Sequence, residues 1–435
     1  MVIKKKKSTF YNILNTLITQ FYLIGTGFIL TILITRELGA ESKGILVTLQ
    51  LIPALIISFF DMGIRQSIAY YYSKNIKDRD YLITTSLYML FLTSFLSIII
   101  TIGIYYLFYE EYLNIGYLIP IVLMIPLTLF AIYFRGVLQG LNEIPTINLA
   151  RNTHQTSYIF LILLLLIFQL LNVKLVLWAE FFAFSLMSYV IFKNVKPELS
   201  LFRISFSKIW MKNIVTLGIT YALTVFVLRL NYKVDALFLA KLRGPDEVGI
   251  YSIGTTIAEL IWQIPGAIGV VLFSSNLNKS KKDATESTVR LTRISFVASI
   301  ILGSILYFIS PLLIKLTFGI EFIEASTAIR LLLPGIIFMV VFQILNSDMN
   351  AKGKPLMAFK VFLFALIGNC ILNFLLIPTY GIKGAAFAST ITYVISTIIY
   401  MVMYTRFNNI NLREIICLNS KDISIVKNKL IRRIK

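Results

Sequence analysis

The sequence predicts an all-α integral membrane protein: twelve transmembrane helices in two six-helix lobes, repeated in parallel around a central cavity. Three observations predict it. Of 435 residues, 57% are hydrophobic and only 14% charged, against about a quarter charged in a soluble domain. There is too little polar surface to clothe soluble globules. The apolar residues fall in runs separated by charged punctuation, each run near the roughly twenty residues needed to cross about 30 Å of hydrocarbon. The second half of the chain also repeats features of the first in step.

Taken in order, the first six spans lie near 10–35, 44–72, 82–109, 115–134, 153–171 and 175–192. The next six lie near 213–240, 249–276, 294–314, 326–350, 357–378 and 383–405. All are too long for strands and lack a period of two, so they are helices with their backbone bonds satisfied internally. The basic run Met1–Lys7 precedes an apolar stretch far longer than a signal-peptide core, so the first span is retained. With a cytoplasmic start, 30 of the 41 Lys and Arg fall in inner segments and 8 in outer loops, while Arg65, Arg229 and Lys233 lie inside spans. That bias places both termini in the cytoplasm. The N-lobe is then 1–200 and the C-lobe 201–405. The basic tail 406–435 reads as a membrane-surface segment.

Composition excludes several functions. A net charge of +20, distributed between apolar runs, reads as topology and headgroup contact and not as nucleic-acid binding. Two cysteines, Cys370 and Cys417, make no disulfide framework, and one histidine, His154, makes no multi-His metal cluster. No GxxxxGK[ST] run occurs, so no P-loop holds a nucleotide. Asp78-Arg-Asp80 matches a metal-dependent glycosyltransferase pattern, but it sits in a short inner loop with no catalytic domain around it. The expectation is a non-enzyme without cofactor or metal.

Arg36-Glu-Leu-Gly-Ala-Glu-Ser-Lys-Gly44 is echoed 205 residues later by Lys241-Leu-Arg-Gly-Pro-Asp-Glu-Val-Gly249. Basic, Gly, acidic and Gly recur at 36/241, 39/244, 41/246 and 44/249. Pro126 recurs as Pro334, and Pro145 as Pro355. Six helices per half give both halves the same orientation, a parallel repeat about an axis along the membrane normal. Pro53, Pro126, Pro265 and Pro334 mark places where helices can bend, which suits a carrier whose lobes rock.

Leu38-Gly-Ala-Glu-Ser-Lys-Gly44 with its echo, Gln139-Gly-Leu-Asn-Glu-Ile-Pro145, and Tyr380-Gly-Ile-Lys-Gly-Ala-Ala-Phe387 together resemble the multidrug/oligosaccharidyl-lipid/polysaccharide (MOP) exporter superfamily. Within it the chain resembles the repeat-unit flippases of O-antigen and capsule. Lipid II flippases usually have fourteen helices, and cation-coupled drug exporters often carry an acid in helix one. This chain has twelve expected spans, with Asn12, Asn15, Thr16 and Gln20 in the first. The resemblance implies transfer of an undecaprenyl-pyrophosphate-linked oligosaccharide from the cytoplasmic to the outer leaflet of the bacterial plasma (inner) membrane. It implies coupling to the membrane potential or to an H+ or Na+ gradient. Partners would be membrane lipids and the polymerase and glycosyltransferases of the same pathway. Cation-coupled drug export is the alternative, with a polysaccharide polymerase or glycosyltransferase behind it.

Ionisable groups inside a bilayer are costly and are functional candidates by default. Arg229 and Lys233, at i,i+4, are expected to face the cavity and hold the pyrophosphate; structurally, Arg229 could instead pair with Glu259 and Lys233 with Asp235. Asp61 and Arg65 read as an i,i+4 ion pair, with Arg65 a second substrate candidate. Glu259, Asp61 and Asp235 are the coupling or ion-pair candidates. Asp348 reads as interfacial, His154 as a hydrogen-bonding residue at the cytoplasmic start of helix five, and Glu180 as ambiguous.

Overall fold

The computed structural model describes residues 9–61, 63–74, 78–112, 114–199, 207–276 and 280–416. The basic start Met1–Lys7 and the tail from Cys417 onward, both given roles above, lie outside the described residues. The described residues hold helices and no strand. The helices are α1 (Thr9–Asp61), α2 (Ile64–Lys74), α3 (Arg79–Phe108), α4 (Ile115–Gly140), α5 (Ile144–Ile167), α6 (Val173–Leu199), α7 (Lys208–Leu242) and α8 (Pro245–Glu259). They continue with α9 (Gln263–Asn276), α10 (Lys281–Thr317), α11 (Ala325–Ala351), α12 (Leu356–Tyr380), α13 (Ile382–Asn408) and α14 (Leu412–Ile416).

Each expected span falls mainly on helix among the described residues, although the fifth outruns its helix, which ends at Ile167. Among the described residues, eight helices are long and apolar enough to cross a membrane, nine when the two parts of α7, bent by 49°, count as one span. One of the eight, Leu14–Lys74, runs for 61 residues, about 90 Å at 1.5 Å per residue and so three times too long for one crossing. It is broken at Gly39 (φ 73, ψ 178) and again at Gly63 (φ 64). Gly244, the repeat partner of Gly39, adopts φ 97, ψ 176. This region is open only to glycine, so the sequence echo is also a backbone echo. The expected spans that are not long and apolar enough to cross as continuous helices are the polar α5 and the pair α8–α9. The latter is interrupted by a 3-10 turn at Leu260–Trp262, where Pro265 cannot donate the i→i−4 bond.

The chain forms two compact units, Met1–Phe226 and Val227–Lys435. The division falls inside α7 and not in the loop near residue 200, because the first part of α7 packs on the first unit. Ile214 is buried in that unit's core, with Trp210, Met211 and Val215 against it, and Trp210 meets Tyr71 edge-on at 5.4 Å.

In the first unit α4 is the central helix, packed on α2, α6 and α3. Gly136 and Gly140 let α2 in: a Cβ on Gly136 would lie 2.6 Å from the Arg65 carbonyl oxygen, and one on Gly140 would lie 3.0 Å from that of Ala69. In the second unit the corresponding centre is α11, packed on α13, α10, α9 and α8. Phe342 on α11 packs against Phe362, tilted, and Tyr400, edge-on, with ring centroids 4.4 and 4.9 Å away.

Candidate functional site

The first unit gathers arginines. The α2–α4 approach at Gly136 sets Arg65 beside Arg135, and α5 supplies Arg151. Arg135 lies within electrostatic reach of Arg65, Arg151 and Asp61, and Arg151 within reach of Arg65. All three side chains are part-buried. Arg135 Nε donates to its own helix at the Ala131 carbonyl (3.0 Å), and Arg151 Nη2 donates to Gln20 Oε1 (3.3 Å). Such bonds leave most of the five donors of each guanidinium for other partners.

The polar residues of the first span are held mainly by α5. Asn148 Nδ2 donates to Asn15 Oδ1 (2.7 Å) and Thr16 Oγ1 (3.1 Å), Asn152 Nδ2 to Thr19 Oγ1 (3.4 Å), and the Tyr22 and Thr156 hydroxyls bond at 2.7 Å. This zipper pins α1 to α5 and fixes the side of α5 that carries Arg151. His154 does not sit at the start of its helix: α5 begins ten residues earlier. Its ring packs 4.4 Å from that of Phe184, and its Nε2 is buried without a hydrogen bond. Glu180 accepts from Gln50 Nε2 (2.6 Å), with Lys43 in electrostatic reach.

Asp61 and Arg65 do not share a continuous helix. Asp61 closes α1, Arg65 lies in the first turn of α2, and Gly63 between them has positive φ. The regular helical i,i+4 geometry expected for them is therefore interrupted, and Asp61 also lies in reach of Arg135 and Tyr133.

In the second unit Lys233 has a partner other than Asp235. Glu259 is bound by Lys233, whose Nζ lies 3.2 and 3.4 Å from its two carboxylate oxygens; the ion pair is part-exposed, at 40% and 27% of the side chains. Arg229 stands exposed one turn before Lys233 on α7. Asp235 is not the hydrogen-bonded partner of Lys233. It is 2% exposed and accepts from the Tyr251 hydroxyl, from Ser389 Oγ (2.9 Å) and from the Ala236 amide (2.8 Å). Two residues apart on a helix, Lys233 and Asp235 point to different faces, and α8 and α13 take up the carboxylate.

Asp348, in the last turn of α11, is fully buried, tying Asn276 (2.9 Å), Tyr404 (2.7 Å) and Lys352 (2.5 Å) together, while Lys352 also reaches Thr285 and Asn408. Asp78-Arg-Asp80 opens α3, where Arg79 lies 4.7 Å over the Tyr72 ring. Among the described residues no group of three His, Cys, Asp or Glu side chains can hold a metal ion.

Arg135 and Arg151 were not legible as site residues. With the fourth span ended at 134 and the fifth begun at 153, both counted as loop charges. The helices run to Gly140 and from Ile144, which puts both arginines inside helix and leaves a turn at 141–143.

The sequence matches the family model described as "Polysaccharide biosynthesis protein" over residues 6–275 and the MatE model over 220–375. It is 25% identical over 399 residues to the uncharacterized membrane protein MJ1375 of Methanocaldococcus jannaschii, covering 86% of this chain and 93% of that one. It is 23% identical over 397 residues to the probable low-salt glycan biosynthesis flippase Agl15 of Haloferax volcanii, covering 88% and 80%. The fold matches the inward-facing structure of a multidrug resistance MATE family transporter of the MOP superfamily, with a TM-score of 0.73 at 14% identity, covering 88% of this chain and 94% of that one. With a repeated glycine break, several helices long enough to cross a membrane and a family match over more than half its length, the chain is a multi-pass membrane protein and belongs to the polysaccharide biosynthesis protein family.

Proposed function

We propose that the protein carries undecaprenyl-pyrophosphate-linked oligosaccharide repeat units from the cytoplasmic to the outer leaflet of a bacterial plasma membrane, by alternating access and with both termini cytoplasmic. One observation supports this most: Arg65, Arg135 and Arg151 collect in one lobe within reach of each other's charge. Three like charges among apolar helices, which Asp61 offsets only in part, repel and are costly there. A pyrophosphate relieves that cost, and guanidinium forks grip its oxygens in pairs. The same cluster would repel a cationic drug, which favours the lipid-linked anion over the drug-export reading that the MatE match would otherwise raise. Outward movement of a negative head from a negative cytoplasm is favourable by about 2.3 kcal/mol per charge per 100 mV, so the membrane potential can drive it.

The test is a strain lacking the gene, complemented with wild type or with Arg135→Ala/Arg151→Ala. Lipid-linked repeat units are quantified by leaflet, with an impermeant sugar-modifying probe on cells without an outer barrier. Stranding of the units on the cytoplasmic side, unrescued by the double variant at normal membrane levels, is the expected result. Units that still reach the outer face without the protein overturn the proposal.

A further inference from the structure

The second unit carries a polar surface that the arginine cluster does not use. Ser252, Thr256, Glu259, Gln263 and Gly266 recur at alternating steps of four and three through α8, the 3-10 turn and α9, so they share one face. Thr256, Gln263 and Gly266 are exposed and Glu259 is part-exposed; a Cβ at Gly266 would meet nothing within 4 Å. Arg229 and Lys233 stand on α7, and the Lys233–Glu259 ion pair joins the two helices. A polar stripe of this kind cannot face hydrocarbon cheaply, so it faces water or a ligand.

Beside the ion pair stands an aromatic group. Tyr232 and Trp262, each next or near in sequence to a member of the pair, have ring centroids 5.0 Å apart at 45°. Tyr393 backs both, at 5.8 and 6.1 Å. The indole Nε1–H donates to the Ile336 carbonyl at 2.9 Å, which fixes the ring. Tyr232 and Trp262 are part-exposed, whereas Tyr393 is buried.

We infer that Tyr232, Trp262, Lys233, Glu259 and Gln263 form a carbohydrate subsite, which takes a pyranose ring of the oligosaccharide and not its pyrophosphate. A pyranose offers an apolar C–H face and a rim of hydroxyls that both donate and accept. Fixed aromatic rings match the first, and a carboxylate, an ammonium and an amide match the second. The Lys233 and Glu259 charges compensate each other, which makes this a poor trap for phosphate compared with three arginines. The inference rests on the substrate being a lipid-linked oligosaccharide.

The chain has three tryptophans, so the full-length protein with Trp178→Phe and Trp210→Phe reports from Trp262 alone. The probes are the oligosaccharide released by mild acid from the lipid-linked fraction of the host's membranes, and inorganic pyrophosphate. The oligosaccharide should change Trp262 emission saturably, and Glu259→Gln should weaken that binding about ten-fold, the worth of a hydrogen bond to a charged group. Pyrophosphate should leave the emission unchanged. In the leaflet assay, Trp262→Ala should slow appearance of the sugar-bearing lipid, while Trp262→Phe, which keeps a ring, restores most of it.

No emission response to the oligosaccharide, with wild-type translocation by Trp262→Ala, overturns the subsite and leaves the flippase reading intact. A response to pyrophosphate in place of the sugar also overturns it. Saturable sugar binding, in a protein whose deletion strands nothing, upholds the subsite and overturns the flippase reading.

Discussion

Arg135 and Arg151 sit in helix interiors, where a positive side chain costs several kcal/mol unless something compensates it. A hydrogen bond to a charged group contributes about 1.5–3 kcal/mol, so Arg135→Ala or Arg151→Ala should weaken binding of the polyprenyl-pyrophosphate head by roughly ten-fold or more each. Titration of purified protein with undecaprenyl pyrophosphate measures this. Arg135→Lys should recover charge without the fork and fall between the two; equal affinity for wild type and Arg135→Ala would remove this residue from the site. Lys233 and Glu259 test a different property. In a double cycle of Lys233→Ala and Glu259→Ala, the thermal stability of the purified protein should show a coupling of about 0.5–3 kcal/mol, as for contacting residues, with the single variants each worse than additivity predicts from the double.

At the scale of the element, two glycine devices shape the helices. The first is the close approach of α2 to α4, where a Cβ on Gly136 would stand 2.6 Å from a backbone oxygen. Gly136→Ala should therefore cost about 1–3 kcal/mol through overpacking and lower the melting temperature. It should also impair transport, because α2 carries Arg65. Gly103 on α3 meets nothing within 4 Å, so Gly103→Ala should be neutral or stabilising by up to about 1 kcal/mol. The second device is the pair of positive-φ breaks at Gly39 and Gly244. Alanine at either should cost about 1–3 kcal/mol, and similar losses at both in thermal unfolding would match the shared backbone geometry. These breaks were legible as a motif, because glycine recurs in step with its charged neighbours. The packing of Gly136 was not, since a lone glycine in an apolar run carries no sign of what lies against it.

At the scale of the whole molecule, the distribution of Lys and Arg predicts which loops face outward. In a chain with Cys370 and Cys417 replaced by serine, an impermeant maleimide applied to intact cells should label Glu111→Cys and Lys174→Cys. It should label Lys354→Cys only after permeabilisation. The reverse pattern would invert the topology. The division into two units inside α7 also belongs to this scale. Hydropathy sees a single apolar run there, whereas the packing of Trp210 and Ile214 assigns the start of that run to the first unit.

By itself the sequence determined the helical membrane class, the approximate position of each helix, the two-fold repeat and the family resemblance, because each rests on local composition or on spacing along one chain. Tertiary structure decided the partners. Lys233 took Glu259, Asp235 took Tyr251 and Ser389, and Asp348 became a buried junction of three helices. It also turned Arg135 and Arg151 from apparent loop charges into neighbours of Arg65. Charge pairing depends on which faces of distant helices meet, and a helix end misplaced by a turn or more moves a side chain from water to the interior, which spacing along the chain alone does not encode.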